Sequence, residues 1–178
     1  MDFMLALGFQ AATAVTDWEA EGRAALEAAK DRQPIEGPAK NVILFIADGM
    51  DVTTSTAARI LAGQKAGGTG EENLLTFESL PFTGFSKTYN TNLQVPDSAG
   101  TATAMLSGHK TKAGVLNVDQ SVALGDCEGA VGKRLPTILE VAEDTGRATG
   151  VVSTARITHA TPASLYSSSP SRDWESDR

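Results

Sequence analysis

Residues 41–47 read NVILFIA, an unbroken apolar run that stops abruptly at Asp48-Gly49-Met50. A run of this length without alternation fits a strand buried on both faces, as in a parallel sheet. That demand constrains the chain more than any other segment, because a parallel strand needs helices on both sides of its sheet. At the end of the run, Asp-Gly is a common turn former. A carboxylate buried at a strand end would instead need a charge partner or a metal. Both readings of Asp48 are open on the segment alone.

The surrounding pattern supplies helices. Residues 17–33, DWEAEGRAALEAAKDRQ, are rich in helix formers, with acids leading, bases trailing and Asp17 placed to cap. Pro34 and Pro38 break that helix. A second helix is predicted over 53–64, with Thr and Ser at its start, and a glycine-rich surface loop over 65–73. Residues 82–90 and 148–154 read as further strands. A helix opens near Ser98 and runs to about Leu106, residues 107–121 read as irregular, and 135–146 has helical periodicity. ITHATPASLYSSS then turns into a short helix or loop. Strands alternating with helices argue an α/β layered architecture.

Charge narrows the partners. Fifteen Lys and Arg against 22 Asp and Glu give a net charge of −7, and no basic run offers a nucleic-acid backbone a patch. A phosphate substrate is not excluded, because a bound metal can dominate the local field. No stretch approaches a transmembrane span. Residues 1–16 form an apolar segment ending in Ala12-Thr13-Ala14, which reads as a signal-peptide remnant, although Asp2 stands where a basic residue is usual. The single cysteine, Cys127, allows no internal disulfide.

Ligands in open α/β sheets gather beyond the carboxyl ends of the strands. Asp48, Ser98, and the pair His159 and Thr161 all follow predicted strands. Ser98 lies in VPDSAGTATAM. It, or Asp97, can be an ordinary cap. It can also be a nucleophile set where a helix N-terminus favours an anion. A serine hydroxyl needs activation. With His109 and His159 the only histidines, a Ser-His-Asp triad is open by count, but G-x-S-x-G is absent and metal activation is the better route. Thr161 before Pro162 can be a plain N-cap. His159 can be a structural or surface histidine or lie at a metal. Arg172 can be solvated or can clamp a phosphate bidentately.

Together these segments resemble a known family. NVILFIADGM, TAARILAGQK, FSKTYNTNLQVPDSAGTATAMLSGHKT, GVVSTARITHATPASLY and SRDWESD look like the N-terminal part of the alkaline phosphatases, nearer the animal-type branch. The resemblance runs from about residue 17 to the end. It implies a three-layer α/β sandwich with a largely parallel central sheet flanked by helices. It implies phosphomonoester hydrolysis through a phosphoserine on Ser98, two Zn2+ and one Mg2+. Asp48 would bridge a zinc and the magnesium, and Ser98 would sit on that zinc. Thr161 would ligate magnesium, with His159 beside that site. Asp97 would help hold Arg172, which would grip two phosphate oxygens. A homodimer using the 17–33 helix, and a secreted, periplasmic or cell-surface location, are implied too.

Two departures stand out. Asp51 follows DGM where animal-type members usually have glycine. A centre with two zincs and a magnesium also takes about ten ligands, and this chain has two histidines and one cysteine. Residues 17–178 therefore read as the N-terminal part of a single domain truncated at its C-terminus. A non-catalytic remnant is one alternative. A phosphodiesterase or sulfatase of the same superfamily is another, disfavoured because Ser98 is followed by Ala99-Gly100-Thr101 rather than x-P-x-R.

Overall fold

A computed structural model describes residues 17–177, so the apolar segment 1–16 lies outside the described residues. The chain divides into two units at Gly84 and Phe85.

In the first unit, helix α1 spans Trp18–Lys30. Asp17 caps it: its Oδ1 accepts from Glu19 N at 3.1 Å and Ala20 N at 3.0 Å. Glu19 and Glu21 in the first turn and Lys30 in the last suit the helix dipole. None of its residues is buried.

Helix α2 spans Val52–Lys65. It starts one residue before the expected 53, and its cap is Asp51, whose Oδ1 accepts from Thr54 N at 2.7 Å. That bond to the Thr54 amide holds the Asp51 carboxyl below its ordinary value. The glycine-rich segment 65–73 is tied back to α2. Arg59 Nη1 donates to Glu71 O at 3.2 Å and Asn73 Nδ2 to Arg59 O at 3.2 Å. A side chain at Gly63 would meet Asn73 Cβ and Gly70 Cα at 2.7 Å.

Among the described residues the run 41–47 pairs with no strand. Val42, Ile43 and Phe45 are 73, 78 and 90% exposed. Residues 148–154 form no ladder either, and 82–90 contribute only the isolated bridge of Asn90 to Leu93. The central sheet is therefore not formed among the described residues. A parallel strand takes its hydrogen bonds from a segment delivered by a long crossover. Among the described residues these apolar runs have no such neighbour.

The second unit carries the core, built from short helices joined by long irregular segments. Helix α3 spans Ser98–Ser107. Its buried residues are Ala99, Gly100, Ala102, Thr103 and Leu106, four of which fall at i, i+3, i+4 and i+7, one face of a helix. The small residues on that face let other elements approach closely. Helix α4 spans Cys127–Ala130, and Cys127 is exposed and free. Helix α5, Ile138–Asp144, is shorter than the sequence pattern because Thr137 caps it just after Pro136; Thr137 Oγ1 also donates to Leu165 O at 2.9 Å. Helix α6 spans Ala160–Ala163. Helix α3 packs against α5 and α6. Ala99, Leu116, Ala160 and Ala163 form one apolar cluster, and Val115, Val118 and Val122 a second that packs against Ala130.

Between these clusters, Asn117 is fully buried in the left-handed region at φ 43°. Its N–H donates to Thr103 Oγ1 at 3.0 Å. Its Nδ2 donates to Ser164 O at 2.5 Å and to Ser167 O at 2.7 Å. It thus joins α3 to the end of α6. Among the described residues no helix is long and apolar enough to cross a membrane.

Candidate active site

The start of α3 answers whether Ser98 is a cap. Asp97 does the capping: its Oδ1 accepts from Gly100 N at 3.1 Å. Ser98 is the first helical residue, partly buried, and does not serve as the cap. Pro96 cannot donate from its nitrogen, and Asp97 N donates to Asn90 Oδ1 at 2.9 Å. The buried Asn90 thereby fixes the entry of the chain into the helix. Gly100 is required there by close approach: a Cβ would lie 1.9 Å from Asn90 Nδ2 and 3.0 Å from Lys112 O.

Arg172 reaches this helix start from 74 residues further on. Its Nη1 donates to Ser98 Oγ at 2.8 Å and to Asp97 Oδ2 at 3.2 Å. Its backbone N–H donates to Gly114 O at 2.7 Å, which sets the root of the side chain. Asp97 therefore divides its two oxygens between the helix amide and the guanidinium. The pair is about a quarter exposed, so its worth lies nearer the ~1 kcal/mol of a surface pair than that of a dry one.

His159 approaches the same guanidinium, with Nε2 3.3 Å from Arg172 Nη2. A guanidinium only donates, so Nε2 accepts. His159 caps α6 by position without a side-chain cap bond. Thr161 is the second residue of α6 and partly buried, not its N-cap, because the helix already starts at Ala160. Pro162 is accommodated because first-turn amides have no partner within the helix. His109 lies at the far end of α3, where its Nδ1 meets Ser107 O at 2.9 Å. Helix α3 rises about 15 Å along its length, so His109 is remote from Ser98. No Ser-His-Asp relay is assembled among the described residues.

Asp48 belongs to the first unit. It is exposed, in a turn closed by Met50 N to Ala47 O at 3.4 Å, with Gly49 at φ 74°. The expected burial of its carboxylate does not occur because the run before it is itself unpaired. Among the described residues no three His, Cys, Asp or Glu side chains gather as a metal cluster.

The structure thus brings Asp97, Ser98, His159 and Arg172 together. Asn90 and Gly100, which shape the helix start, were missed by sequence reasoning. The glycine two places after a small-residue nucleophile candidate was the available signal for close approach; nothing local marked Asn90.

A guanidinium, a capped helix start and a hydroxyl converge on one point. Comparisons with known proteins place that site in a family. The alkaline phosphatase family model matches residues 39–178, and the chain belongs to that family. It is 52% identical over 139 residues to the tissue-nonspecific alkaline phosphatase of Gallus gallus, covering 78% of this chain and 27% of that protein. It is 46% identical over 161 residues to the Homo sapiens isozyme, covering 90% and 31%. It is 47% identical over 170 residues to a membrane-bound alkaline phosphatase of Bombyx mori, covering 94% and 30%. The crystal structure of a cold-active alkaline phosphatase from Shewanella sp. superposes with a TM-score of 0.61 at 32% identity, over 72% of this chain and 29% of that one. The chain spans less than a third of the length of these relatives.

Proposed function

We propose that this chain carries the nucleophile and the phosphate grip of a metal-dependent phosphomonoesterase that works through a phosphoserine on Ser98. The observation that carries the reading is Arg172 Nη1 at 2.8 Å from Ser98 Oγ at the start of α3. A cationic donor on that oxygen favours the negative charge it carries once it has lost its proton. In the step proposed, Ser98 Oγ loses its proton to solvent and forms a bond to phosphorus while the ester oxygen departs with its electron pair and takes a proton from water. A second water then attacks the phosphoserine, its P–O bond to Ser98 breaks, and phosphate leaves with the hydroxyl of Ser98 reprotonated. The fork of Arg172 takes two phosphoryl oxygens, and the N-terminus of α3 favours the anion. Asp97 keeps the guanidinium over the hydroxyl. His159 holds the other side of the fork, so in this arrangement it is a partner of Arg172 and not the base for Ser98.

Two Zn2+ and one Mg2+ belong to the reading through family membership. Such ions supply Lewis-acid activation of the serine and of water when bound. Asp48, Ser98 and Thr161 are the ligands assigned by resemblance, with His159 beside the magnesium. With no metal cluster among the described residues, these side chains alone do not fit a complete centre. That favours a second reading for the chain by itself: a phosphate-binding portion with negligible turnover. The three-layer sandwich with its parallel sheet, the homodimer using α1, and a secreted, periplasmic or cell-surface location belong to the same proposal. The fully unburied α1 supports an interface role.

A chimera separates the readings. With this sequence replacing the matching segment of the Gallus gallus relative, zinc- and magnesium-dependent hydrolysis of p-nitrophenyl phosphate is expected, with a phosphoryl adduct on the peptide containing Ser98 after acid quench. Ser98→Ala should lower turnover by at least about 10³-fold and abolish the adduct. An adduct that survives Ser98→Ala would sink the assignment. The 178-residue chain alone should show negligible turnover.

A further inference from the structure

Arg172 sits in a loop, 171–175, that no regular element holds. His159 ends another, 156–159. Outside the site these two loops are joined by one carboxylate. Glu175 accepts from Arg156 Nε at 2.6 Å, from Arg156 Nη2, and from Thr158 Oγ1 at 2.6 Å. The Arg156 contact is bidentate, the geometry that adds orientation to attraction. The far loop is pinned again where Tyr166 Oη donates to Ile157 O at 2.5 Å. The near loop folds on itself through Trp174 N to Ser171 O at 3.4 Å and Asp173 N to Ser171 Oγ at 3.3 Å. Glu175 is three residues beyond Arg172, and Thr158 is the residue before His159. The contact between Arg172 Nη2 and His159 Nε2 is thus closed by the clasp on its outer side.

We infer that Arg156, Thr158 and Glu175 form a positioning clasp that holds Arg172 and His159 in register, so that the guanidinium is presented to an oxyanion at Ser98. The inference rests on the phosphate reading for its purpose but not for its geometry. None of the three clasp residues touches Ser98. They act through Arg172, whose backbone is tied to Gly114 O but whose side chain still has rotamer freedom to lose. An exposed ion pair contributes little to global stability, so the clasp's effect should appear in the order of the site and hardly in melting.

The test uses the whole 178-residue chain with 15N- and 13C-labelled arginine. A guanidinium held by Asp97, Ser98 and His159 rotates slowly and gives resolved Nη signals. In Glu175→Gln the Arg172 Nη signals are expected to collapse to one average, with the melting temperature little changed. Glu175→Asp, which keeps the charge, should restore most of the resolution. If Glu175→Gln leaves the Arg172 signals resolved, or Glu175→Asp averages them as fully as Gln does, the clasp does not position the arginine. Titration of the parent chain with inorganic phosphate is a separate arm. Perturbed Arg172 signals support the phosphate grip, whereas signals indifferent to phosphate overturn that reading and leave the phosphate-free result to decide the clasp.

Discussion

At residue scale the site turns on what the side chain of Asp97 leaves undone. Asp97 caps α3 through one oxygen and meets Arg172 through the other, so the hydroxyl of Ser98 is free of the capping task. The neighbouring Gly100 makes this arrangement possible, because a Cβ there would lie 1.9 Å from Asn90 Nδ2. In Gly100→Ala, Asn90 must move, and its bond to the Asp97 amide goes with it. Overpacking of this kind costs about 1–3 kcal/mol. Gly100→Ala should therefore lower the melting temperature measured by circular dichroism, and in the chimera it should weaken phosphate binding as well. A loss of stability with unaltered phosphate affinity would separate Gly100 from the site.

At the scale of elements, the packing of α3 on α6 depends on Asn117, which no helix contains. Its amide donates to two carbonyls beyond α6, and its N–H to Thr103 on α3. Asn117→Ala removes both side-chain bonds and puts a Cβ without polar function at φ 43°. Each carbonyl left unpaired, Ser164 O buried and Ser167 O partly so, costs up to about 1–3 kcal/mol, so a loss of roughly 2–6 kcal/mol is expected, read as a shift of the urea midpoint. A shift within error would mean that the apolar clusters alone hold α6. The same residues show how much the sequence disclosed. Helices α1, α2, α3 and α5 were legible because caps and periodicity are local: Asp17 and Thr137 sit within three residues of the amides they satisfy. The strands over 41–47, 82–90 and 148–154 rest on an apolar run, on alternation and on β-branched residues respectively, but a ladder depends on a distant neighbour that a local pattern does not specify. In the site, the PDSA start of α3 was legible for the same local reason as the helices. Asn90 and Asn117 were not, since their roles arise from contacts 7 to 50 residues away.

At the scale of the molecule, acid should unfold this chain through its carboxylates. Asp51, Glu72 and Asp119 are held below their ordinary values by hydrogen bonds to Thr54, Thr69 and Ser121 respectively. Glu175 is lowered from 4.5 to about 2, first by Arg156 and then by Thr158. Each of these groups binds its proton less readily when folded than when unfolded, so the unfolded state takes up more protons as pH falls. The stabilisation from Glu175 is therefore complete above about pH 4.5 and is lost as pH falls toward 2. Protonation also turns the net charge from −7 to strongly positive, and general repulsion would give a similar decline. Salt tells the two apart, because at 1 M the screening length is about 3 Å, shorter than most charge separations but not than a hydrogen-bonded contact. In 1 M salt the melting temperature should hold from neutral pH down to about pH 5 and then fall. Glu175→Gln, whose melting temperature at neutral pH stays close to the parent's because the pair is exposed, should show a slightly shallower fall over the same range, because position 175 no longer titrates. An acid limb of the same slope in parent and variant would mean that the Arg156–Glu175 contact contributes nothing to folding in solution.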